Sequence, residues 1–244
     1  LENELLPSLP MLDSADTLKV KMLDVHRRLC DEYRCPISYF GALDPLSELV
    51  SSLLSHRTKN ADSARAFKTL HSAFPTWEAV RDAETSQIEA AIAAATWPEQ
   101  KAPRLQAVLR AISTEVGTLN LDFLSEMEVR AARDWLEQLP GVGPKTSAAV
   151  LAFSTLRRAA LPVDSHHHRV AQRLGFIGMK VSVGPSHTIL EGLLPPEWDA
   201  QQVYDNHEIF MLHGQNCCFY NSPACRRCPV LDLCPEGQQR VNQK

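Results

Sequence analysis

Hydrophobic side chains recur along this chain at spacings of three and four, the period of a helix with one face turned inward. Over residues 16–31, Leu18, Met22, Val25 and Leu29 fall on one stripe. Asp44-Pro45-Leu46 opens a second helix, with Asp44 as its N-cap and Pro45 in the first turn. Leu46, Leu49, Val50, Leu53 and Leu54 form that helix's apolar face. Further helices are expected over 62–74, from about 100 to 116, and over 129–139, where Ala132, Trp135, Leu136 and Leu139 share one side. Thr76 and Ser86 read as additional N-caps. No segment alternates apolar and polar residues far enough for a half-buried strand. The expected fold class is therefore all-α, with short Pro-, Asp- and Ser-containing turns. The pattern breaks only at 217–234, a stretch too crowded with cysteine and proline for a regular helix. This suggests two helical lobes, a central helical domain and a second lobe built around the cysteine loop.

Composition narrows the class. At 244 residues, 44% hydrophobic and 22% charged, the chain can bury a substantial core in one domain or two. No apolar run reaches the roughly 18 residues of a membrane span, and no basic-then-apolar leader opens the sequence. The expected location is the cytoplasm, associated with a bacterial nucleoid. A net charge of −4 argues against non-specific coating of nucleic acid. DNA contact would need a local basic face, for which Arg157, Arg158, Arg169, Arg173, Arg226 and Arg227 are candidates. In a reducing compartment the seven cysteines favour a bound metal or cluster over a disulfide framework. Cys30 and Cys35 read as ordinary thiols.

Three features carry chemistry. Cys218, Cys225, Cys228 and Cys234 stand at the spacing C-x6-C-x2-C-x5-C. Two of them precede proline, as ligands of iron–sulfur clusters do. Four thiolates would also satisfy zinc, but structural zinc sites pair close cysteines across a longer knuckle, and this spacing lacks that shape. A 4Fe–4S cluster is favoured.

The second feature is Leu139-Pro-Gly-Val-Gly-Pro-Lys-Thr146 between two helices. Gly141 and Gly143 permit backbone geometry closed to other residues and let a phosphate approach. Pro144 suits the first helical position, and the free amides of the new helix point at an anion. Such a grip positions a DNA backbone without reading bases. A lone GxG is more often a plain turn; here the flanking helices and the full string favour the phosphate reading. Lys145 lies in the first turn, where the helix dipole and partial burial favour loss of its proton, as Schiff-base chemistry needs. Its plain alternative is a solvated lysine on phosphate. Third, Asp164 precedes a helix, either as an N-cap carboxylate or as a second catalytic group facing Lys145. His166 to His168 invite a metal, but helical neighbours point about 100° apart and do not ligate together.

With these residues in place, the chain resembles the endonuclease III family of DNA repair glycosylases. The string 139–146 matches the family's helix-hairpin-helix, with Lys145 at the nucleophile; Val163-Asp164-Ser165-His166 matches the catalytic-aspartate segment. His213-Gly214 followed by the four cysteines matches the 4Fe–4S loop, and the family's six-residue gap selects Cys218 over its neighbour Cys217. The likeness runs from about 44 to 236. It implies a six-helix barrel over 37–157 and a cluster domain over 1–36 and 158–244, gripping double-stranded DNA with damaged bases or abasic sites as a monomer. It further implies that an oxidised pyrimidine is flipped from the duplex, that Lys145 attacks the sugar C1′, and that Asp164 stabilises the cationic transition state. The Schiff base would then allow β-elimination. The cluster would be structural, shaping a loop whose Arg226 and Arg227 meet phosphate.

Two departures stand out. Arg57, in Ser55-His56-Arg57-Thr58-Lys59-Asn60, replaces the glutamine that fills the gap left by the flipped base. Thr96-Trp97-Pro98 replaces an intercalating leucine, with Trp97 either a wedge or a core aromatic. Two other functions were weighed. Monofunctional relatives that remove adenine from mismatches generally lack the hairpin lysine and carry an extra C-terminal domain, whereas this sequence ends shortly after Cys234. A non-catalytic, DNA-binding or redox-sensing iron–sulfur protein would not need both Lys145 and Asp164.

Overall fold

The apolar stripes become helix faces in a computed structural model, which describes residues 14–41 and 43–243. Every regular element among them is helical. α1 (Ala15–Tyr33) precedes α2 (Pro45–Ser55), α3 (Asn60–Ala73), α4 (Trp77–Asp82), α5 (Thr85–Ala91) and α6 (Pro98–Val116). There follow α7 (Val129–Leu136), α8 (Pro144–Phe153), α9 (Ser165–Leu174), α10 (Val183–Glu191), α11 (Ala200–Asn216) and α12 (Pro235–Asn242). Among the described residues no helix is long and apolar enough to cross a membrane.

Local chemistry sets the helix ends. Asp44 caps α2 by accepting from the Leu46 and Ser47 amides, and Pro45 occupies the first turn. Thr76 caps α4 through the Ala79 amide. Ser86 is not a cap: α5 starts one residue earlier, with Glu84 before it. The hydroxyl of Thr85 donates to Gln106 at 2.7 Å. α7 stops at Leu136, short of the expected 139, yet Leu139 stays buried and anchors the turn that follows. Over 217–234 the chain makes only two 3₁₀ turns, Cys225–Arg227 and Leu231–Leu233.

Two hydrophobic cores result. One gathers side chains from α2 to α8, including Leu46, Leu53, Leu105, Ile112, Leu136 and Leu151. The other joins Met22, Val25 and Leu29 of α1 to Val170, Leu174, Ile209 and Phe210 of the later helices. The chain thus starts in one lobe, builds the other, and returns. Part of the first stretch, residues 1–13, lies outside the described residues.

Cys30 and Cys35, expected as free thiols, form a disulfide. Arg34 adopts a left-handed conformation (φ 65°) at the end of α1 and turns the chain back, so the two Cα atoms come within 4.9 Å. Sequence spacing alone did not reveal that helix end.

Candidate active site and nucleic-acid interface

The turn after α7 delivers Lys145 to the second position of α8. Gly141 has φ 78°, so its conformation favours glycine, and a Cβ there would displace the end of the Arg104 side chain, 2.6 Å away. Gly143 differs from expectation. Its φ of −118° suits any residue and a Cβ would meet nothing, so only the approach of a ligand would require glycine there. No side chain caps α8. Among the described residues the Gly143 and Lys145 amides have no hydrogen-bond acceptor. They form the anion-seeking end of a helix. The Lys145 ammonium also makes no hydrogen bond or ion pair there.

Lys145 opens onto a cleft of about 1290 Å³ walled by both lobes. Ser55, His56, Arg57, Trp97, Lys101 and Arg104 line one side, and Asp164, His166, His207 and Glu208 the other. Asp164 acts as the N-cap read from the sequence and also lines the cleft. It caps α9, accepting from the His167 amide at 2.7 Å, and its carboxylate borders the same cleft as Lys145. The three histidines scatter as helical geometry requires. His166 borders the cleft, His168 Nε2 donates to Val181 O at 2.9 Å, and His167 is buried on Phe210 with both ring nitrogens unpartnered among the described residues.

Arg57 and Trp97 meet at the mouth of the cleft, the guanidinium carbon 5.9 Å from the ring centroid. Both are non-glycine residues in left-handed backbone (φ 51° and 55°), a strain that persists only where surroundings impose it. Trp97 is 45% exposed, which disposes of the core-aromatic reading. Lys101, which the sequence reading missed, braces both segments. Its ammonium is buried and donates to Leu54 O at 2.6 Å, His56 O at 2.9 Å and Thr58 Oγ1 at 2.7 Å. Thr58 Oγ1 also accepts from the Thr96 amide. One lysine therefore ties the Arg57 loop to the Trp97 turn. His56 is fixed as well, its Nε2 3.0 Å from Thr146 Oγ1 on α8. Burial pushes His56 down to about 4, with Lys145 adding to the shift, so it sits neutral beside the hairpin.

The expected basic face is smaller than the sequence suggested. Arg158 donates to backbone carbonyls of the segment before α7, and Arg169 and Arg173 to those of the cysteine loop. Arg157 donates to Phe153 O and Gly41 O and stacks on Tyr39 at 3.6 Å. These guanidinium donors brace loops. Arg226 and Arg227 are exposed, but they line a separate hollow with Arg240 rather than the Lys145 cleft.

Acidic groups behind the cleft were also missed. Burial raises Glu48 and Glu208 to about 7 each. Glu208 lies beside His207, whose Nδ1 donates to Pro162 O at 2.7 Å, and burial lowers His207. On two helices whose other faces are apolar, neither glutamate differs in sequence from a solvated one.

The five cysteines of the C-terminal loop line a single void walled by Val170, Leu174, Val230 and Leu231. His213, Cys217 and Cys228 come close enough together to hold a metal ion. Burial drives the Cys228 thiol up to about 12, so ionising it there calls for a cationic partner. Donors already surround the sulfurs: Arg173 Nη1 at 3.3 Å from Cys218, the Gly237 amide at 3.2 Å from Cys234, and His213 Nε2 at 3.5 Å from Cys228. A thiolate set ringed by donors fits a metal or cluster. Cys217, which belongs with His213 and Cys228 to the close group, also points toward Ala224 O.

Comparison with known proteins agrees with this geometry. Residues 50–196 match the model of the HhH-GPD superfamily base excision DNA repair proteins. The chain is 33% identical over 172 residues to a putative DNA glycosylase of Arabidopsis thaliana, covering 70% of this chain and 57% of that protein. It is 30% identical over 198 residues to endonuclease III of Bacillus subtilis, covering 81% of this chain and 84% of the relative. Among solved structures, a trapped endonuclease III–DNA covalent intermediate superposes with a TM-score of 0.76 at 25% identity, over 91% of this chain and 98% of that one. The chain belongs to the HhH-GPD superfamily of base excision DNA repair proteins and is of the endonuclease III type.

Proposed function

We propose that this protein is a bifunctional DNA glycosylase and AP lyase that excises oxidised pyrimidines from duplex DNA through Lys145. The observation that carries the reading is a lysine with no partner of its own at the N-terminus of α8, sharing a two-lobed cleft with the carboxylate of Asp164. In that cleft the free amides of Gly143 and Lys145 hold a backbone phosphate. Arg57 and Trp97 fill the space vacated by the extruded nucleotide. The Lys145 amine forms a bond to C1′ as the glycosidic bond breaks; the departing electron pair leaves with the base, which takes up a proton. Asp164 offsets the positive charge that builds on the sugar. Opening of the sugar gives a Schiff base, loss of a C2′ proton feeds electrons toward it, and the 3′ phosphate departs, nicking the strand. That a neighbouring structure is a trapped covalent intermediate with DNA supports the covalent route.

Cys218, Cys225, Cys228 and Cys234 would hold a 4Fe–4S cluster, which when bound fixes the shape of the loop carrying Arg226 and Arg227. In this reading residues 37–157 act as the barrel domain, 1–36 and 158–244 as the cluster domain, and the protein works as a cytoplasmic monomer.

A duplex carrying one thymine glycol tests the reading. The wild type should release the base and nick the strand, while Lys145→Gln should bind and do neither. Base release without nicking would point instead to a monofunctional enzyme.

A further inference from the structure

A recess of about 130 Å³ leads off the main cleft, lined by Phe40, Glu48, Phe153, Arg157, Tyr204 and Glu208. Phe40, Phe153 and Glu208 border both spaces, so the recess adjoins the cleft that Lys145 and Asp164 line. Three of its wall residues are held by neighbours. Phe153 meets Tyr204 edge to face, and Arg157 is locked between two backbone carbonyls and the Tyr39 ring. Besides the held Arg157 and the Tyr204 hydroxyl, its polar groups are two carboxyls. Glu48 accepts from Ser52 Oγ at 3.0 Å. The Glu208 residue is only 4% exposed. The Tyr204 hydroxyl lies close enough to the carboxyl to favour its ionised form, while Oε2 has no hydrogen-bond partner among the described residues.

A buried, unpartnered carboxyl oxygen costs stability and calls for an explanation. Here the residue that carries it lines an aromatic-walled recess next to the Lys145 cleft, where a ligand donor reaching the carboxyl would satisfy it. Building on the glycosylase reading above, we infer that the extruded base enters this recess and that Glu208, with Glu48, selects bases bearing an exocyclic amino group. Among pyrimidines these are the cytosine-derived ones. The edge of a cytosine ring offers its N4 amino group, whereas a thymine or uracil edge offers the O4 carbonyl at the same place. An ionised carboxylate only accepts. It takes the amino proton directly in a charge-assisted bond, but meets the carbonyl only after taking up a proton itself. Phe40 and Phe153 supply flat apolar surface for the ring and its 5-substituent.

The matched pair 5-hydroxycytosine and 5-hydroxyuracil, each in duplex DNA, isolates this difference. Single-turnover excision is measured at pH 8, above the value near 7 to which burial raises both carboxyls. Glu208→Leu should lower the ratio of the 5-hydroxycytosine rate to the 5-hydroxyuracil rate by about tenfold or more, the worth of one specific base contact. The same variant should melt at or above the wild type, because it removes an unsatisfied buried carboxyl. Glu208→Gln, which keeps the size and one acceptor, should lower the ratio less. An unchanged ratio in both variants overturns the inference and leaves the glycosylase reading intact; an unchanged ratio with a lower melting temperature makes Glu208 a structural group. A wild type that excises neither base, yet still nicks an abasic duplex, overturns both the selection and the pyrimidine lesion class.

Discussion

Replacing Lys101 with methionine should loosen the whole DNA-facing edge of the first lobe while leaving Lys145 in place. Methionine keeps much of the length of the side chain and its apolar contacts but removes three donated bonds, to Leu54 O, His56 O and Thr58 Oγ1. Bonds from a charged donor contribute about 1.5–3 kcal/mol each. Against that gross loss stands the several kcal/mol recovered when a buried ammonium no longer has to be desolvated. A net destabilisation of about 2–4 kcal/mol follows once the freed carbonyls reach water through an opened loop. For a chain of this size that lowers the melting temperature by about 4–16 °C. The left-handed backbone of Arg57 and Trp97 should relax at the same time, since Lys101 no longer ties their two segments together. Calorimetry gives the first quantity, and fluorescence anisotropy with a duplex holding an abasic-site analogue gives the second. A variant that melts within about 2 °C of the wild type and binds the duplex equally well would refute the bracing role.

Other perturbations separate position from chemistry. Asp164→Asn keeps an N-cap of equal rank on α9 but removes the charge, so melting should hardly change while single-turnover excision slows by about 100-fold; an unchanged rate would remove Asp164 from the reaction. Gly141→Ala forces a Cβ into positive φ at about 1–2 kcal/mol and against Arg104, so affinity should fall equally for all duplex sequences, and unaltered affinity and melting together would show that the hairpin does not grip the backbone. Arg57→Gln should change the preference for the base opposite the lesion. Identical relative rates against all four opposing bases before and after the change would show that Arg57 does not read it.

What was legible in the sequence was local. Helical period placed α1, α2, α3, α6 and α7 to within a few residues, because their apolar stripes are the surfaces that build the two cores. Asp44, Pro45 and Thr76 signalled helix starts through hydrogen bonds that reach only two or three residues. Ser86 misled because the same hydroxyl chemistry suits the interior of a first turn. Lys145 and Asp164 were found from motif and helix-end chemistry, and the structure puts them in one cleft. Hidden from the sequence was whatever depends on partners far along the chain. Lys101 braces a loop more than forty residues away, and Glu48 and Glu208 meet around one recess from α2 and α11. The carbonyl partners of Arg157, Arg158, Arg169 and Arg173 were hidden for the same reason, since a guanidinium bound to a distant carbonyl reads in sequence like a free one. The bond between Cys30 and Cys35 required knowing where α1 ends.

The central claim is that Lys145 is the nucleophile. The most direct measurement is borohydride reduction of the protein on an abasic-site duplex, followed by proteolysis and mass spectrometry of the trapped peptide. The expected result is a covalent adduct on Lys145, absent from Lys145→Gln although that variant still binds the duplex. An adduct on another lysine, or one that persists undiminished in Lys145→Gln, would contradict it.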